Sequence, residues 1–329
     1  MGEKIFDNKG INVLSLFDGI SCGQIALERA EIKVNNYYAS EINESAIQIA
    51  RKNYSNTIHI GDVRNINSNI YHNIDLLIGG SPCQSFSFAG SMSGMTTKDK
   101  IDITTLDQYL ELKNKGFGFE GYSYLFWEYV RILKDVEPKY FLLENVKMTK
   151  KWENIITETL GVKPILINSE LVSAQSRERL YWTNIPNILQ PKDKKIYLDN
   201  IIQNDIIHKY LPKTRLDYTN YDKSKVDKRI HKSTATQIGN SRNFGNAVRS
   251  NGKAFTLRRI NPNGIIDENY NIREFTPIEA ERLQTLPDNY TLIDGIKNKE
   301  RYEAIGNGWT VDVIAHIFKH IKNDNINKG

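Results

Sequence analysis

The chain has 329 residues, a net charge of +5 and 40% hydrophobic residues, enough for one large domain or two modest ones with a sizeable core. It holds no run of about eighteen apolar residues, so no helical membrane span is expected, and Met1-Gly2-Glu3-Lys4 carries no signal-peptide pattern. Its two cysteines, Cys22 and Cys83, are far apart in sequence, which argues against a disulfide framework and for a reducing, cytoplasmic setting.

Taken in order, Ile11 to Phe17 reads as a strand, and Asp18-Gly19-Ile20-Ser21-Cys22-Gly23 as a tight turn. Gln24 to Ala30 reads as a helix with Ile25, Ala26 and Leu27 apolar, and Tyr37-Tyr38-Ala39-Ser40-Glu41 closes a second strand. This is a βαβ unit with a glycine-bearing first turn, and Glu41 follows Gly19 by 22 residues. In such units the turn lets a ligand approach the backbone and the acid accepts from a ribose hydroxyl. Asp62, after Thr57 to Gly61, is a third strand-end acid, suited to an adenine amino group or to a helix N-cap. The turn lacks the Gly-x-Gly-x-x-Gly set that a pyrophosphate needs. A nucleoside cofactor without phosphates fits better, and S-adenosylmethionine is the obvious one.

Ile74 to Ile78, apolar apart from Asp75, predicts a short buried strand that Gly79-Gly80 ends. Ser81-Pro82 keeps a helix from starting at once. Cys83 then sits on a loop past the carboxyl end of the strand, where open α/β sheets place their chemistry. Such a cysteine is either a small buried hydrophobe or a nucleophile held against an electrophile; the glycines, proline and polar residues around it favour the second. The polar stretch 87–121 is long for a loop, as functional lids and disordered segments are, and Gly116 to Gly121 is a candidate hinge.

Tyr122 to Lys134 has helical apolar spacing, and Lys139 to Glu144 is another strand ending in an acid. Trp152 to Leu160 reads as a helix, Pro164 to Asn168 as a strand, and Gln175-Ser176-Arg177-Glu178-Arg179 leads into Leu180-Tyr181-Trp182-Thr183. The alternation predicts an α/β protein, a mostly parallel sheet with helices on both faces. It stops near Pro186. From Lys209 to Arg259 there are thirteen Lys or Arg against three Asp, a local charge of +10, so the rest of the chain carries −5. A basic insert bearing Asn, Gln, Ser, Thr and aromatic residues suits a phosphate backbone. Order returns at Thr276, which can cap a helix with Pro277 at its first position and Glu279 closing a capping box. A last helix is expected over about 311–321.

These residues resemble the DNA (cytosine-5) methyltransferases over nearly the whole chain. The matching pieces, in that family's order, are Phe17-Asp18-Gly19, Glu41, Asp62, Ser81-Pro82-Cys83-Gln84, Glu144-Asn145-Val146 and Gln175-x-Arg177-x-Arg179. They continue with Arg273-x-x-Thr276-Pro277-x-Glu279-x-x-Arg282-Leu283-Gln284 and Gly306-Asn307-Gly308. Phe17-Asp18-Gly19-Ile20, Val172-Ser173-Ala174, Tyr181-Trp182 and Trp309-Thr310-Val311 are more similar to the animal de novo members and their phage or bacterial relatives. The resemblance implies a Rossmann-like methyltransferase domain over 1–183, a smaller irregular target recognition region over 184–272, and a segment, 273–329, that returns to the first domain. It implies a prokaryotic or phage-encoded enzyme acting on double-stranded DNA in the cytoplasm. Cys83 would add to carbon 6 of a flipped cytosine, Glu144 would hold ring nitrogen 3, and Arg179, with Arg177 close by, would bind the exocyclic oxygen. Phe17, Gly19, Ile20, Ser21, Glu41, Ile42, Asp62, Val63 and Ser81 would line the cofactor site, closed by Asn307, Gly308 and Trp309. Gln84, Ser87, Gln237, Arg242, Thr256 and Arg258 would face DNA. A tRNA methyltransferase on the same scaffold would carry a Cys-Phe-Thr signature after Glu144-Asn145-Val146, and none occurs. A non-catalytic homologue would lack Cys83 or Glu144, and both are present.

Overall fold

Each central strand alternates between two cores. In β1 (Ile11–Leu16), Ile11 and Val13 join one buried cluster while Leu14 and Leu16 join the other. The near-continuous apolar runs therefore mark strands covered on both faces. The computed structural model describes residues 10–71, 73–83, 85–86, 94–203, 234–237, 248–257, 263–266 and 272–326. After β1 come α1 (Cys22–Arg29), β2 (Val34–Ser40), α2 (Glu44–Asn53), β3 (Ile58–His59) and β4 (Leu76–Gly80). Then follow α3 (Leu106–Asn114), α4 (Phe126–Val136), β5 (Tyr140–Asn145), α5 (Lys150–Leu160), β6 (Ile165–Asn168) and β7 (Glu178–Thr183).

The seven strands lie in the order β3-β2-β1-β4-β5-β7-β6, with β7 antiparallel to both its neighbours and the remaining pairings parallel. Strand order reverses between β1 and β4, so a crevice opens at their carboxyl ends. Because β7 runs the other way, its first residues arrive at that same end of the sheet. Helices α1 and α2 pack on one face, α4 and α5 on the other, as the alternating pattern predicts.

One expectation is corrected. The stretch 87–121 is not loop throughout: it contains α3, whose Thr105 side chain accepts from the Gln108 backbone N–H at 3.2 Å. The helix buries only Leu106 and Tyr109, too few apolar positions to give a periodic signal. Beyond the main sheet, the described residues include a second, small sheet. After α6 (Leu198–Ile201), the strands β8 (Thr234–Gln237), β9 (Val248–Arg249), β10 (Asn263–Ile266) and β11 (Ile272–Glu274) form an antiparallel sheet ordered β11-β10-β8-β9.

The chain then returns through α7 (Pro277–Leu283), α8 (Asn298–Asn307) and α9 (Val311–Ile326). Thr276 and Glu279 cap α7 reciprocally, as the Thr-Pro-x-Glu pattern predicts, and Arg273 grips Glu279 through two bonds of 2.7 Å. Helix α9 lies against α1, where Arg29 pairs with Asp312 at 2.7 Å. Among the described residues, no helix is long and apolar enough to cross a membrane.

Candidate active site

The carboxyl ends of β1, β2, β4 and β5 and the first residues of β7 surround a cleft of about 400 Å³. Its first wall is the turn after β1. Phe17, Gly19 and Ser21 all have positive φ, near 57–59°. Only Gly19 takes this conformation without strain, and such strain gathers where a site is shaped. The Gly19 N–H donates to Oε2 of Glu41 at 2.8 Å, while Oε1 accepts from Ile42 and Asn43 at 2.7 and 2.8 Å. Beneath the turn, Asp18 accepts from the hydroxyls of Ser15, Ser21 and Tyr37 at 2.5–2.7 Å. Burial pushes its carboxyl up to about 6, the three hydroxyls pulling the other way.

At the end of β3, Asp62 caps a short 3₁₀ turn, Val63–Asn65, through the Arg64 backbone N–H and is gripped by the Arg64 guanidinium. That contact holds its carboxyl below the ordinary value. The cap and the cleft wall are thus the same residue.

The second wall carries the reactive groups. Cys83 is a partly buried free thiol. Burial raises its pKa above the ordinary value; the Arg179 guanidinium opposes this and Glu144 adds to it. Glu144 is the last residue but one of β5, with one carboxylate oxygen on Nε of Arg179 at 2.8 Å and the other on the Trp309 indole N–H at 3.0 Å. Next to it, the Asn145 amide donates to the carbonyl and hydroxyl oxygens of Ser81 at 3.2 and 3.0 Å. This ties the strand bearing Glu144 to the loop bearing Cys83.

Arg177 is buried and spent on backbone carbonyls: Leu257 at 3.2 Å, Gly306 at 3.4 Å and Gly308 at 3.1 Å. Burial, then the neighbouring Arg179 charge, bring its pKa down to about 10. It stitches three separated segments together at the back of the cleft. Thr256 and Leu257 belong to that seam: the Thr256 hydroxyl donates to the Ser176 carbonyl at 2.8 Å, and the Leu257 N–H donates to Gln175 at 2.7 Å.

Of the residues named from sequence, the cleft brings together Phe17, Gly19, Glu41, Ile42, Asp62, Val63, Ser81, Cys83, Glu144, Arg177, Arg179 and Asn307. Ile20 and Ser21 are buried behind the turn. Gly308 and Trp309 are not among the residues that line the cleft; the Trp309 indole meets that lining at Glu144 and Gly80. Gln84, Ser87, Arg242 and Arg258 lie outside the described residues, as does the side chain of Gln237. Sequence reasoning missed Arg64 and the helix α8 residues Glu300 and Glu303, which also line the cleft. Arg64 had a local signal, two positions beyond a strand-end acid; the two glutamates had none, since only the fold brings α8 to α2, where Ser45 donates to Glu300 at 3.1 Å.

Known proteins resemble this chain over nearly its whole length. The chain is 29% identical over 357 aligned positions to the Type II methyltransferase M.FnuDI of Fusobacterium nucleatum, covering 95% of this chain and 94% of that protein. It is 28% identical to the Type II methyltransferase M1.ScrFI of Lactococcus lactis subsp. cremoris, covering 93% of this chain and 76% of the relative. The solved structure of the Entamoeba histolytica methyltransferase EhMeth shares the fold, with a TM-score of 0.63 and 21% identity over 96% of this chain and 99% of that one. The family model of the C-5 cytosine-specific DNA methylases matches residues 11–323, so the chain belongs to that family and is a DNA cytosine-5 methyltransferase.

Proposed function

We propose that Cys83 is the covalent nucleophile of this enzyme, that S-adenosylmethionine is its methyl donor, and that the target is a cytosine flipped out of duplex DNA. The observation that carries the reading is the single cleft in which Cys83, Glu144 and Arg179 share space with Phe17, Glu41 and Asp62. A nucleophile and a nucleoside-binding wall in one cavity can bring a base and a methyl donor together.

The turn fits such a cofactor. The Gly19 N–H is engaged by Glu41, and Asp18 lies beneath it, so a pyrophosphate would meet acids rather than free donors. Among the described residues, Oε2 of Glu41 accepts from the Gly19 N–H, which leaves a lone pair for a ribose hydroxyl. Asp62, held ionised by Arg64, is an acceptor for an adenine amino group. When bound, S-adenosylmethionine supplies an electrophilic methyl group.

The remaining chemistry belongs to the chain. Carbon 5 of cytosine is a poor nucleophile. Addition of the Cys83 thiolate to carbon 6 forms an S–C bond and moves electron density to carbon 5, which then takes the methyl group as its bond to the sulfonium sulfur breaks, with S-adenosylhomocysteine as the leaving group. Loss of the proton at carbon 5 and departure of the Cys83 sulfur restore the ring. Glu144 holds ring nitrogen 3 through a proton shared between them, and Arg179 donates to the exocyclic oxygen, where charge develops. The raised thiol pKa means that the free enzyme rests as the thiol, so the reactive thiolate forms when the base is in place. Flipping costs a few kcal/mol, offset by phosphate contacts from the basic segment 209–259.

A labelled-methyl assay with duplex DNA, single-stranded DNA and tRNA tests this. Incorporation into duplex DNA that disappears in Cys83→Ser is expected. Wild-type turnover in that variant would sink the covalent mechanism, and incorporation into tRNA alone would sink the proposed target.

A further inference from the structure

The residues named for the cofactor site include Trp309, yet its side chain does not line the cleft. Its indole N–H instead donates to Oε2 of Glu144 at 3.0 Å, while Oε1 of that carboxylate is occupied by Arg179 at 2.8 Å. Gly80 makes the contact possible. A Cβ on Gly80 would stand 2.9 Å from the indole nitrogen, closer than real Cβ atoms approach their neighbours, and 3.0 Å from Oε2 of Glu144, a tight contact.

We infer that Trp309 is a positioning residue for Glu144: its N–H and the bare backbone of Gly80 fix the carboxylate plane in which Glu144 meets the target base. The inference rests on the proposed catalytic role of Glu144 and adds a new function for the C-terminal segment. Strand β5, which carries Glu144, and the loop before α9, which carries Trp309, are 165 residues apart in sequence. Docking of the returning segment therefore completes the reactive wall as well as the core. The physical reason is rotational. A glutamate held by Arg179 alone can turn about its last bond, and a terminal torsion of this kind is soft. A second donor on the other oxygen removes that freedom. Hydrogen bonds to a charged group are also the strong ones. The indole needs no contact with cofactor or base to do this.

The test uses the full-length enzyme with S-adenosylmethionine and a long unmethylated duplex. Trp309→Phe keeps a ring of similar shape and removes the donor. The expected result is a single-turnover methylation rate lowered about tenfold or more, with the cofactor dissociation constant within about twofold of wild type. In a double-mutant cycle, adding Trp309→Phe to Glu144→Gln should cost much less than it does in the wild type. Gly80→Ala, which keeps the indole but pushes a methyl group into the contact, should lower the rate constant in the same way, and it decides the matter if Trp309→Phe fails to fold. A wild-type rate at saturating cofactor in the folded Trp309→Phe variant, or in Gly80→Ala if only that variant folds, would overturn the inference. So would a loss confined to cofactor affinity, which would make Trp309 a cofactor contact. A Glu144→Gln enzyme with full activity would instead overturn the catalytic role of Glu144 itself, a different failure.

Discussion

Replacing Arg177 by methionine tests whether the site is assembled by a seam of backbone carbonyls. The guanidinium donates to the carbonyls of Leu257, Gly306 and Gly308 at 3.2, 3.4 and 3.1 Å. Methionine keeps the length and apolar stem but supplies no donor. Gly308 retains a second partner, the Gln284 amide at 3.1 Å, so the loss falls on the Leu257 and Gly306 carbonyls. A stranded buried carbonyl costs about 1–3 kcal/mol, which gives about 2–6 kcal/mol for the pair. The bonds are long, and removing a buried cation returns part of its desolvation cost, already visible in a pKa brought down to about 10. The net loss should be about 2–4 kcal/mol, or a fall of roughly 4–8 °C in melting temperature for a chain of this size. Thermal melting followed by tryptophan fluorescence reads it directly. A melting temperature within about 1 °C of wild type would show that the seam carries no load and that Arg177 serves the reaction alone.

Other outcomes follow from the same geometry. Glu41→Ala should weaken cofactor binding about tenfold or more by calorimetry, through loss of a charge-assisted acceptor, with DNA affinity measured without cofactor unchanged; an unaltered cofactor affinity would give Glu41 a turn-holding role only. Asp18 carries a folded-state pKa of about 6 against an ordinary 3.8, so the folded state binds the proton more tightly. Its contribution to stability is complete below the ordinary value and is lost as pH rises through about 6. The residue is only partly covered, so Asp18→Asn should gain stability on wild type by no more than about 1–2 kcal/mol across that window, and parallel pH–stability curves would refute the assignment. Burial lifts the Cys22 thiol to about 12, so iodoacetamide should modify Cys83 as pH rises and leave Cys22 intact in the folded enzyme; comparable modification of both thiols, read by peptide mass spectrometry, would contradict the burial of Cys22.

The main sheet was legible in the sequence because its strands are covered on both faces. Leu76, Leu77 and Ile78 are all fully buried, and such runs stand out between glycine turns. The strand-end residues were legible for a related reason: Glu144 follows an apolar run directly, and Glu41, Asp62 and Cys83 come shortly after one, across small or turn residues. What escaped had no local signature. The left-handed φ of Phe17 and Ser21 is imposed by the turn around Gly19 and is not encoded in those residue types. The antiparallel sheet of the basic region has strands of two to four residues, below the length at which alternation can be read. Arg177 and Trp309 were noticed as motif members, but their partners lie 80 and 165 residues away. Only the fold reveals that one grips carbonyls and the other grips Glu144.

The covalent step can be observed by trapping. Duplex DNA carrying 5-fluorodeoxycytidine has no proton at carbon 5 to release after methyl transfer, so the sulfur cannot depart. Incubation with the wild-type enzyme and S-adenosylmethionine should yield a protein–DNA adduct that digests to a peptide modified at Cys83, and Cys83→Ser should yield none. Absence of an adduct while the enzyme turns over on ordinary DNA, or attachment to any residue other than Cys83, would contradict nucleophilic catalysis by this cysteine.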